Sequence, residues 1–430
     1  MDIVTAALLI ALLIAVLASG FWIGLALLGV AVFAMEVFTS RPVGDSMVFT
    51  IWGSTSSWTL TALPLFLWMG EILFRSRLTA DLFKGLAPWL NRVPGRLLHA
   101  NVIGCGIFAA VSGSSAATCA TIGKITLPEL KKRGYPDAIS MGSLAGAGTF
   151  GLLIPPSIIM IVYAVATDVS IAKLFVAGVL PGVGLMLLFS GYVVVWALRH
   201  PGQIPAADAA TSLGDKLRAG RHLIPVLSLI ALVIGAIYTG LATATESAAL
   251  GVAGALLLSR LEGSLTWAGF RAGLVAACRV YCMIGLILAG ASFLTLAMGF
   301  IGLPREVAAF IGGLQLPPFW LLMLLMGFFI VLGCFLDGIS MVVLTMAVLL
   351  PTVQAAGIDL IWFGVFVVLV VEMAQITPPV GFNLFVLQGL TGRELPYLAR
   401  TALPFFGLLM LSVLLIYLFP QVVLWLPSLM

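Results

Sequence analysis

The chain has 430 residues, of which 62% are hydrophobic and 9% are charged, and its formal net charge is +4. Soluble domains carry roughly 25% charged residues, so this composition excludes an ordinary soluble domain. Apolar runs of about 18 or more residues recur along the whole length, which predicts an all-α polytopic membrane protein. These runs are continuous, whereas the strands of a transmembrane β-barrel alternate apolar with polar residues. The basic residues are spread over short loops and do not indicate nucleic-acid binding.

In chain order, the first apolar segment covers residues 3–37 and is interrupted by GFWIG, which predicts one long tilted helix or two short ones. No basic leader or A-x-A site accompanies it, so we expect no cleaved signal peptide. Further spans are predicted at about 59–75, 138–166, 173–198, 223–240, 244–259, 271–300 and 401–426. Three more apolar stretches contain polar or proline interruptions, at 98–130, 318–356 and 360–392.

The basic residues predict the orientation of these segments. Most of them lie in loops at 75–96, 131–133, 199–221, 260–271 and 393–400. The intervening loops hold only Arg41, Lys173 and Arg305. The first set is therefore predicted to be cytoplasmic. The segment 98–130 then begins and ends on the cytoplasmic side with about 33 residues, whereas two full crossings need about 40. It is predicted to be a re-entrant hairpin that turns back at SGSS.

The second half of the chain repeats this pattern from the opposite side. The stretch 318–356 enters from the outside and has a polar tip, CFLDGISM. A double proline follows each tip inside an apolar span, in GLLIPPS and in ITPPVGFN. The distance is 42 residues from Gly113 to Pro155 and 40 from Gly338 to Pro378. Paired Gly/Pro interruptions in matching positions indicate the inverted repeats of a secondary transporter, with the binding site at the interruptions.

This pattern divides the chain into five predicted parts. They are N-terminal scaffold helices (1–97), a first transport repeat (98–172, with hairpin 98–130 and broken helix 138–166), scaffold helices with a cytoplasmic connector at 199–222 (173–317), a second transport repeat (318–392, with hairpin 318–356 and broken helix 360–392), and a C-terminal helix (393–430).

The interruptions carry oxygen atoms that suit a hard cation. A double proline breaks the helix, and carbonyls freed inside a membrane must face protein, water or an ion. The first tip adds the hydroxyls of Ser112, Ser114 and Ser115, and the second adds Ser340 and Asp337. A carboxylate at this depth needs a cationic partner, and no Lys or Arg is near it in sequence, so a bound Na⁺ is predicted. The helix that restarts after SGSS directs a positive dipole end at the membrane centre, which suits a carboxylate substrate.

Other polar or reactive residues carry weaker signals. The five cysteines are interpreted as small buried hydrophobic residues, namely Cys105, Cys119, Cys278, Cys282 and Cys334. Glu71, Glu246 and Glu372 lie in or near spans, and each fits either an ion relay or a hydrogen-bonded structural role. The sequence contains neither a nucleotide-binding motif nor a catalytic triad, so an ATPase or another enzyme is not expected.

The interrupted motifs together resemble a known family. VSGSSAAT, GTFGLLIPPSIIM, ATESAALG, FLDGISMVVLTMAVLLPTV and ITPPVGFNLFVLQG are similar to motifs of the large membrane subunit (DctM type) of tripartite ATP-independent periplasmic (TRAP) transporters. The resemblance runs from about residue 60 to the C-terminus. Phe150 and Leu152 depart from the usual GTLGILIPPS without changing its backbone logic. The family belongs to the ion-transporter superfamily, and the resemblance implies an elevator-type fold with transport and scaffold domains.

The resemblance also implies a set of site residues. A first sodium site would use Ser112, Ser114, Gly151, Ile154 and Pro156, and a second would use Asp337, Gly338, Thr377 and Gly381. The substrate, a small carboxylate such as a C4-dicarboxylate or a sialic acid, would lie near Ser115, Ser157 and Asn383. Two or more Na⁺ ions would be co-transported.

Partners and location follow from the same resemblance. The expected partners are a small four-helix membrane subunit on a separate chain and a periplasmic substrate-binding protein, in the lipid of a bacterial inner membrane. The alternative function is a stand-alone sodium/dicarboxylate or citrate symporter of the same superfamily. The substrate, the sodium stoichiometry and the oligomeric state stay open at this point.

Overall fold

The computed structural model describes residues 3–206, 212–303, 317–334, 336–379 and 381–430, together with residues 306, 309 and 313. Across these residues the chain is helical and contains no β-strand, so the predicted all-α fold class is confirmed. Some residues named in the sequence analysis lie outside the described ones. These are residues 207–211 of the connector 199–222, Arg305, and one residue of each interruption in the second half, Phe335 and Val380.

The N-terminal region begins with two helices rather than one. Helices α1 (Ile3–Ala18) and α2 (Ile23–Phe38) are separated by a turn in which Gly20 has φ of 85°. Helix α3 (Val43–Thr55) is followed by a bent partner: the segment Trp58–Phe74, which contains α4 (Ala62–Phe74), makes an angle of 52° with it. Helix α5 (Leu78–Leu90) then precedes the first interrupted stretch. The predicted span 59–75 is therefore one arm of a bent pair.

The first interrupted region forms a helical hairpin and a broken helix. Its hairpin consists of α6 (Leu98–Ser112) and α7 (Ser115–Lys132), which pack on each other. Helix α8 (Asp137–Gly148) runs into a 3₁₀ turn at Thr149–Gly151, and α9 (Ile158–Thr167) resumes after the double proline. Both helix breaks occur at the residues where the sequence places Ser, Gly and Pro.

The middle of the chain contains most of the long helices. Their bounds are α10 (Ile171–Arg199), α11 (Leu213–Gly220), α12 (Ile224–Tyr238), α13 (Ala244–Leu261) and α14 (Trp267–Ile301). Within the described part of the chain, the helices long and apolar enough to cross a membrane are Ile171–Arg199, Leu213–Tyr238, Trp267–Ile301 and Leu395–Leu418. The span predicted at 244–259 is an 18-residue helix outside this group.

The second interrupted region has the same order of elements. Its hairpin consists of α15 (Pro318–Gly333) and α16 (Gly338–Ala355), and its broken helix consists of α17 (Leu360–Gln375) and α18 (Phe382–Thr391). Helix α16 bends by 62° between Met346 and Val348. Pro351 accounts for this bend, because a proline ring clashes with the carbonyl four residues earlier.

The C-terminal region differs from the single span predicted at 401–426. Helix α19 covers Leu395–Leu418, so it begins and ends earlier than expected. Phe419 leaves the helical conformation, with φ of −126° and ψ of 70°, and Pro420 precedes a four-residue helix, α20 (Gln421–Leu424). Proline has no backbone N–H and cannot continue a helix ladder, which explains the early end of α19.

Helix α17 lies at the centre of the bundle. Every residue from Trp362 to Gln375 is buried, and a helix that is apolar on all sides belongs in such a core. It packs against α9, α10, α15, α16 and α19. The second repeat therefore supplies the central helix, and the first repeat is packed directly against it through α9.

Helix α14 packs closely on α2, with glycines at the point of contact. A Cβ atom at Gly290 would lie 2.5 Å from the Gly24 carbonyl oxygen, whereas a Cβ atom at Gly285 on the same helix would meet nothing within 4 Å. We expect Gly290→Ala to destabilise the protein by about 1–3 kcal/mol, because it forces two helix backbones apart. Gly285→Ala is the matched control and should be neutral. Thermal unfolding of the detergent-purified protein measures both, and equal unfolding temperatures would contradict the prediction.

Candidate functional site

The first hairpin tip is held by its own polar groups. Gly113 ends α6 in the left-handed conformation with φ of 62°, and Ser114 is the N-cap of α7, where its hydroxyl accepts the Ala117 N–H at 3.4 Å. The Thr118 hydroxyl donates to the Ser114 carbonyl at 2.8 Å and lies 2.7 Å from the Ser112 hydroxyl. Hydroxyl and carbonyl oxygens of three residues therefore gather within one turn of backbone.

The first tip lies directly on the first proline break. The Ile158 N–H donates to the Gly113 carbonyl at 3.4 Å. A Cβ atom at Gly113 would lie 2.9 Å from the Pro156 carbonyl oxygen, and one at Gly151 would lie 2.5 Å from the Ser114 carbonyl. Glycine is therefore required on both sides of this contact. Four of the five residues predicted for the first sodium site come together here, which are Ser112, Ser114, Gly151 and Pro156.

The fifth predicted residue, Ile154, belongs to the same break but directs its side chain elsewhere. A Cβ atom at Gly182 of α10 would lie 2.9 Å from Ile154 Cγ1, so that side chain packs against α10. The backbone of Ile154 is anchored by its N–H, which donates to the Phe150 carbonyl at 2.9 Å. The group of Ile154 that is available to bind an ion is therefore its carbonyl oxygen.

The second tip is organised around one carboxylate. Asp337 is the N-cap of α16 and accepts the backbone N–H groups of Ile339 at 3.0 Å and Ser340 at 3.3 Å, and the Ser340 hydroxyl also donates to it. Asp337 is half-buried. A carboxylate at a helix N-terminus is stabilised by the unpaired N–H groups and the dipole. The structure thus gives Asp337 a local partner that the sequence analysis did not consider.

The second tip also contacts the second proline break. The Cys334 thiol lies 3.2 Å from the Pro378 carbonyl, and a Cβ atom at Gly338 would meet Val371 of α17 and Ile159 of α9. Within the break, the Gly381 N–H donates to the Thr377 carbonyl at 3.0 Å. The Thr377 hydroxyl donates to the Met373 carbonyl at 2.7 Å. The four residues predicted for the second sodium site thus occupy one tip and the break beside it.

The three predicted substrate residues have different surroundings. Ser115 lies at the start of α7 and lines the large cavity described below. Ser157 is fully buried; its hydroxyl donates to the Leu152 carbonyl and accepts the Met160 N–H at 3.3 Å. Asn383 is also fully buried, and its Nδ2 donates to the Ala145 carbonyl at 3.2 Å. Of these three residues, Ser115 is the one that lines the cavity.

A cavity of about 1340 Å³ lies between the two tips and the face of α14. One side is formed by residues 113–116 of the first tip and 337–339 of the second. The opposite side is formed by the α14 residues Leu274, Val275, Cys278, Arg279, Cys282, Met283, Leu286 and Ile287, whose spacing of three and four places them on one helix face. The link between α1 and α2, residues 21–24, closes one end. Concave sites that are mostly apolar with a few polar groups are typical of small-molecule binding.

Two cysteines and an arginine of α14 lie in the cavity wall, where the sequence analysis did not place them. Cys278 and Cys282 were expected to be buried, but both are exposed and line the cavity, and Cys334 is half-buried; only Cys105 and Cys119 are buried. Arg279 was not singled out by the sequence analysis. The available signal was an arginine in the interior of a 35-residue apolar helix, more than two turns beyond Arg271, since such residues mark functional sites in membranes.

The three glutamates differ in their hydrogen-bond and ion-pair partners. Glu71 pairs with Arg75 at 3.1 Å, and Glu246 forms a capping box with Thr243 at the start of α13, so both have structural roles. Glu372 is fully buried, and neither of its carboxyl oxygens has a hydrogen-bond partner among the described residues. The adjacent Thr149 hydroxyl already donates to the Gly146 carbonyl at 2.8 Å.

The surroundings of Glu372 predict a difference between two substitutions. Glu372→Gln keeps the shape and removes the possibility of a buried charge, so its yield and unfolding temperature should match those of the unmodified protein. Glu372→Arg introduces a guanidinium that stays charged and has no partner, which costs several kcal/mol, and should prevent accumulation of folded protein. Fluorescence-detected size-exclusion chromatography measures both. Strong loss of folded protein with Gln would show that the carboxyl holds a partner.

Comparison with known proteins places the whole chain in one family. Residues 10–422 match the family described as tripartite ATP-independent periplasmic transporter, DctM component. The C4-dicarboxylate TRAP transporter large permease protein DctM of Pseudomonas aeruginosa is 32% identical, and the match covers 89% of each protein. The ectoine/5-hydroxyectoine TRAP transporter large permease protein UehC of Ruegeria pomeroyi is also 32% identical, and the match covers 86% of each.

A solved structure supports the fold independently of sequence. The YdaH transporter of Alcanivorax borkumensis superposes with a TM-score of 0.62 at 15% identity, and the match covers 91% of this chain and 95% of that one. The family consists of transporter permeases rather than enzymes. From the family match, the relatives and the interrupted helices together, the chain belongs to the large membrane subunits of TRAP transporters, the DctM component family.

Proposed function

We propose that this protein is the permease for sodium-coupled uptake of a small organic acid. A periplasmic binding protein delivers the acid to the permease at the outer face of a bacterial inner membrane. The observation that carries this proposal is the cavity faced by both hairpin tips. Ser115 and Gly338, the first residues of α7 and α16, both line it. Helix N-termini present unpaired N–H groups and a positive dipole end, which favour a carboxylate.

The oxygen atoms behind each tip support the sodium part of the proposal. At the first tip, the Ser112 hydroxyl lies 3.4 Å from the Ser114 carbonyl oxygen, and the Pro156 carbonyl faces Gly113 between these two residues. At the second tip, the Asp337 carboxylate lies on the cavity, and the Pro378 carbonyl faces Cys334 beside it. Unwound carbonyls at paired helix breaks are the ligands that secondary transporters use for Na⁺. We assign one ion to each tip.

An elevator movement fits the way the elements are joined. The first tip is packed on its own break through glycine contacts, the Cys334 thiol of the second tip lies beside the Pro378 carbonyl of its break, and the second tip also touches α9 of the first repeat. The two repeats therefore form one unit. Helix α14 and the α1–α2 link lie across the cavity from this unit. The apolar cavity lining permits sliding between the two, because few polar contacts have to be broken. The transported acid is a C4-dicarboxylate or ectoine, as named for the relatives, or another carboxylate such as a sialic acid.

The first test of this function is reconstitution. Liposomes containing this chain, the small membrane subunit and the binding protein should take up labelled carboxylate when an inward Na⁺ gradient is imposed. Omission of either partner should abolish uptake, and K⁺ should not replace Na⁺. Uptake by this chain alone, without stimulation by a binding protein, would favour a stand-alone symporter of the same superfamily instead.

A substitution at the second tip separates ion binding from helix capping. Asp337→Asn keeps a good N-cap residue but removes the charge. We expect the Na⁺ concentration for half-maximal uptake to rise about tenfold or more, which corresponds to ~1.4 kcal/mol. Asp359→Asn is the matched control, since Asp359 also caps a helix, accepting the Trp362 N–H at 2.9 Å, but lies outside the cavity lining. Equal sodium dependence in the two variants would remove Asp337 from the ion site.

A further inference from the structure

Arg279 is a charged side chain in the cavity wall without a protein partner. It lies in the interior of α14, is exposed, and lines the cavity. Within the described ranges it forms no ion pair, no side-chain hydrogen bond and no cation–π contact. An arginine inside a membrane helix is costly unless it faces a water-filled cavity or a counter-ion. The cavity provides the space for such a counter-ion.

No ion pair joins the guanidinium of Arg279 to another described residue of the cavity lining. Asp337 is the other charged residue among those that line it. Its carboxylate accepts hydrogen bonds from Ile339 and Ser340 at its own helix start and forms no ion pair with Arg279. The first tip opposite adds the start of α7, where the backbone N–H groups of Ser115 and Ala116 have no backbone acceptor in the part of the chain that the structure describes. The cavity therefore places a guanidinium and a helix N-terminus around one space.

We propose that Arg279 binds the anionic group of the transported solute from the α14 side of the cavity. The inference rests on the proposed function, because it supplies the anion that the function requires. A guanidinium offers paired N–H donors that match both oxygens of a carboxylate, and it stays charged at every physiological pH. Because α14 belongs to neither repeat, Arg279 contacts the solute only while the tips face this helix. It attracts the anion in that state and is left behind when the repeats move.

Two native cysteines make the charge of the cavity measurable without knowledge of the substrate. Cys278 and Cys282 line the same wall as Arg279 and are exposed, whereas Cys105 and Cys119 are buried. The probes are an anionic (sulfonatoethyl) and a cationic (trimethylammonioethyl) methanethiosulfonate, applied to the complex of this chain with its small subunit. Arg279→Gln should lower the anionic-to-cationic ratio of labelling rates about tenfold, since charged clefts raise counter-ion concentrations by 10-fold or more.

Controls assign this effect to one side chain. Arg271→Gln removes a charge from the same helix outside the cavity lining and should leave the ratio unchanged. Arg279→Lys keeps the charge and should also leave it unchanged. Replacing both Cys278 and Cys282 by Ser should remove the signal. An unchanged ratio in Arg279→Gln overturns the proposal, and because labelling is done on membrane-inserted protein, it does not depend on transport.

Uptake separates failure of this inference from failure of the proposed function. In the reconstituted three-component system, labelled succinate and labelled ectoine are the probes. Arg279→Gln should raise KM about tenfold, and Arg279→Lys, which cannot engage both carboxylate oxygens, should raise it severalfold. Arg271→Gln should leave KM unchanged. If the unmodified system takes up neither solute, the assigned substrate class is wrong, and the labelling ratio still decides whether Arg279 attracts anions.

Two results would overturn the inference while the function stands. One is normal KM in Arg279→Gln despite a lowered labelling ratio, which would make the charge incidental to the solute. The other is loss of the small subunit when Arg279→Gln is co-purified with it, which would make Arg279 a partner for an acidic residue of that subunit. Size-exclusion profiles establish folding of each variant. Should Arg279→Gln not accumulate, an unchanged KM in Arg279→Lys would overturn the two-oxygen contact.

Discussion

Every part of this site depends on one constraint, the need to pair backbone polar groups where a helix is broken inside a membrane. Each break leaves N–H and C=O groups that lipid cannot satisfy. Here they are paired locally: Ser114, Ser157 and Asp337 cap the helices that restart, and the Ile158 N–H reaches across to the Gly113 carbonyl. The tips can lie at membrane depth because they are packed on the breaks. The breaks are tolerated for the same reason.

This mutual support joins elements that are far apart in sequence. The first tip is fitted to the first break by two glycines, and the second tip packs on α17 and on α9 of the other repeat. Helix α17 is buried from Trp362 to Gln375 and carries Glu372 next to the first break. A shift of either tip therefore changes packing contacts in both repeats. Helix α14 packs on α16 of the second hairpin, and the face of α14 that carries Arg279 is separated from both tips by the cavity.

Features that single residues impose on their own backbone could be predicted from the sequence, and features that depend on tertiary packing could not. The breaks at Gly113, Asp337 and the two double prolines were predicted, because Gly, Ser and Pro act on the backbone at their own positions. The family match then confirmed the identity of the chain. The exposure of Cys278 and Arg279 was not predicted, because α14 is one continuous apolar helix and only tertiary packing decides which face meets a cavity. The same limit applies to Ser157 and Asn383, whose polar groups turn toward backbone carbonyls that only the fold brings near.

The hydrogen bonds at the tips impose a condition on ion binding. The Ser112 hydroxyl already contacts Thr118, and Asp337 already accepts N–H groups of its own helix. A cation that takes these oxygens must share them or displace the existing donors, so occupation of a tip alters the way the tip is held. Because the Gly113 carbonyl and the start of α7 are covalently part of the same turn, that change is transmitted to the cavity-lining residues Ser114 and Ser115. Under the proposed function, sodium and solute would be coupled through a few bonds of shared backbone, without any direct contact between them.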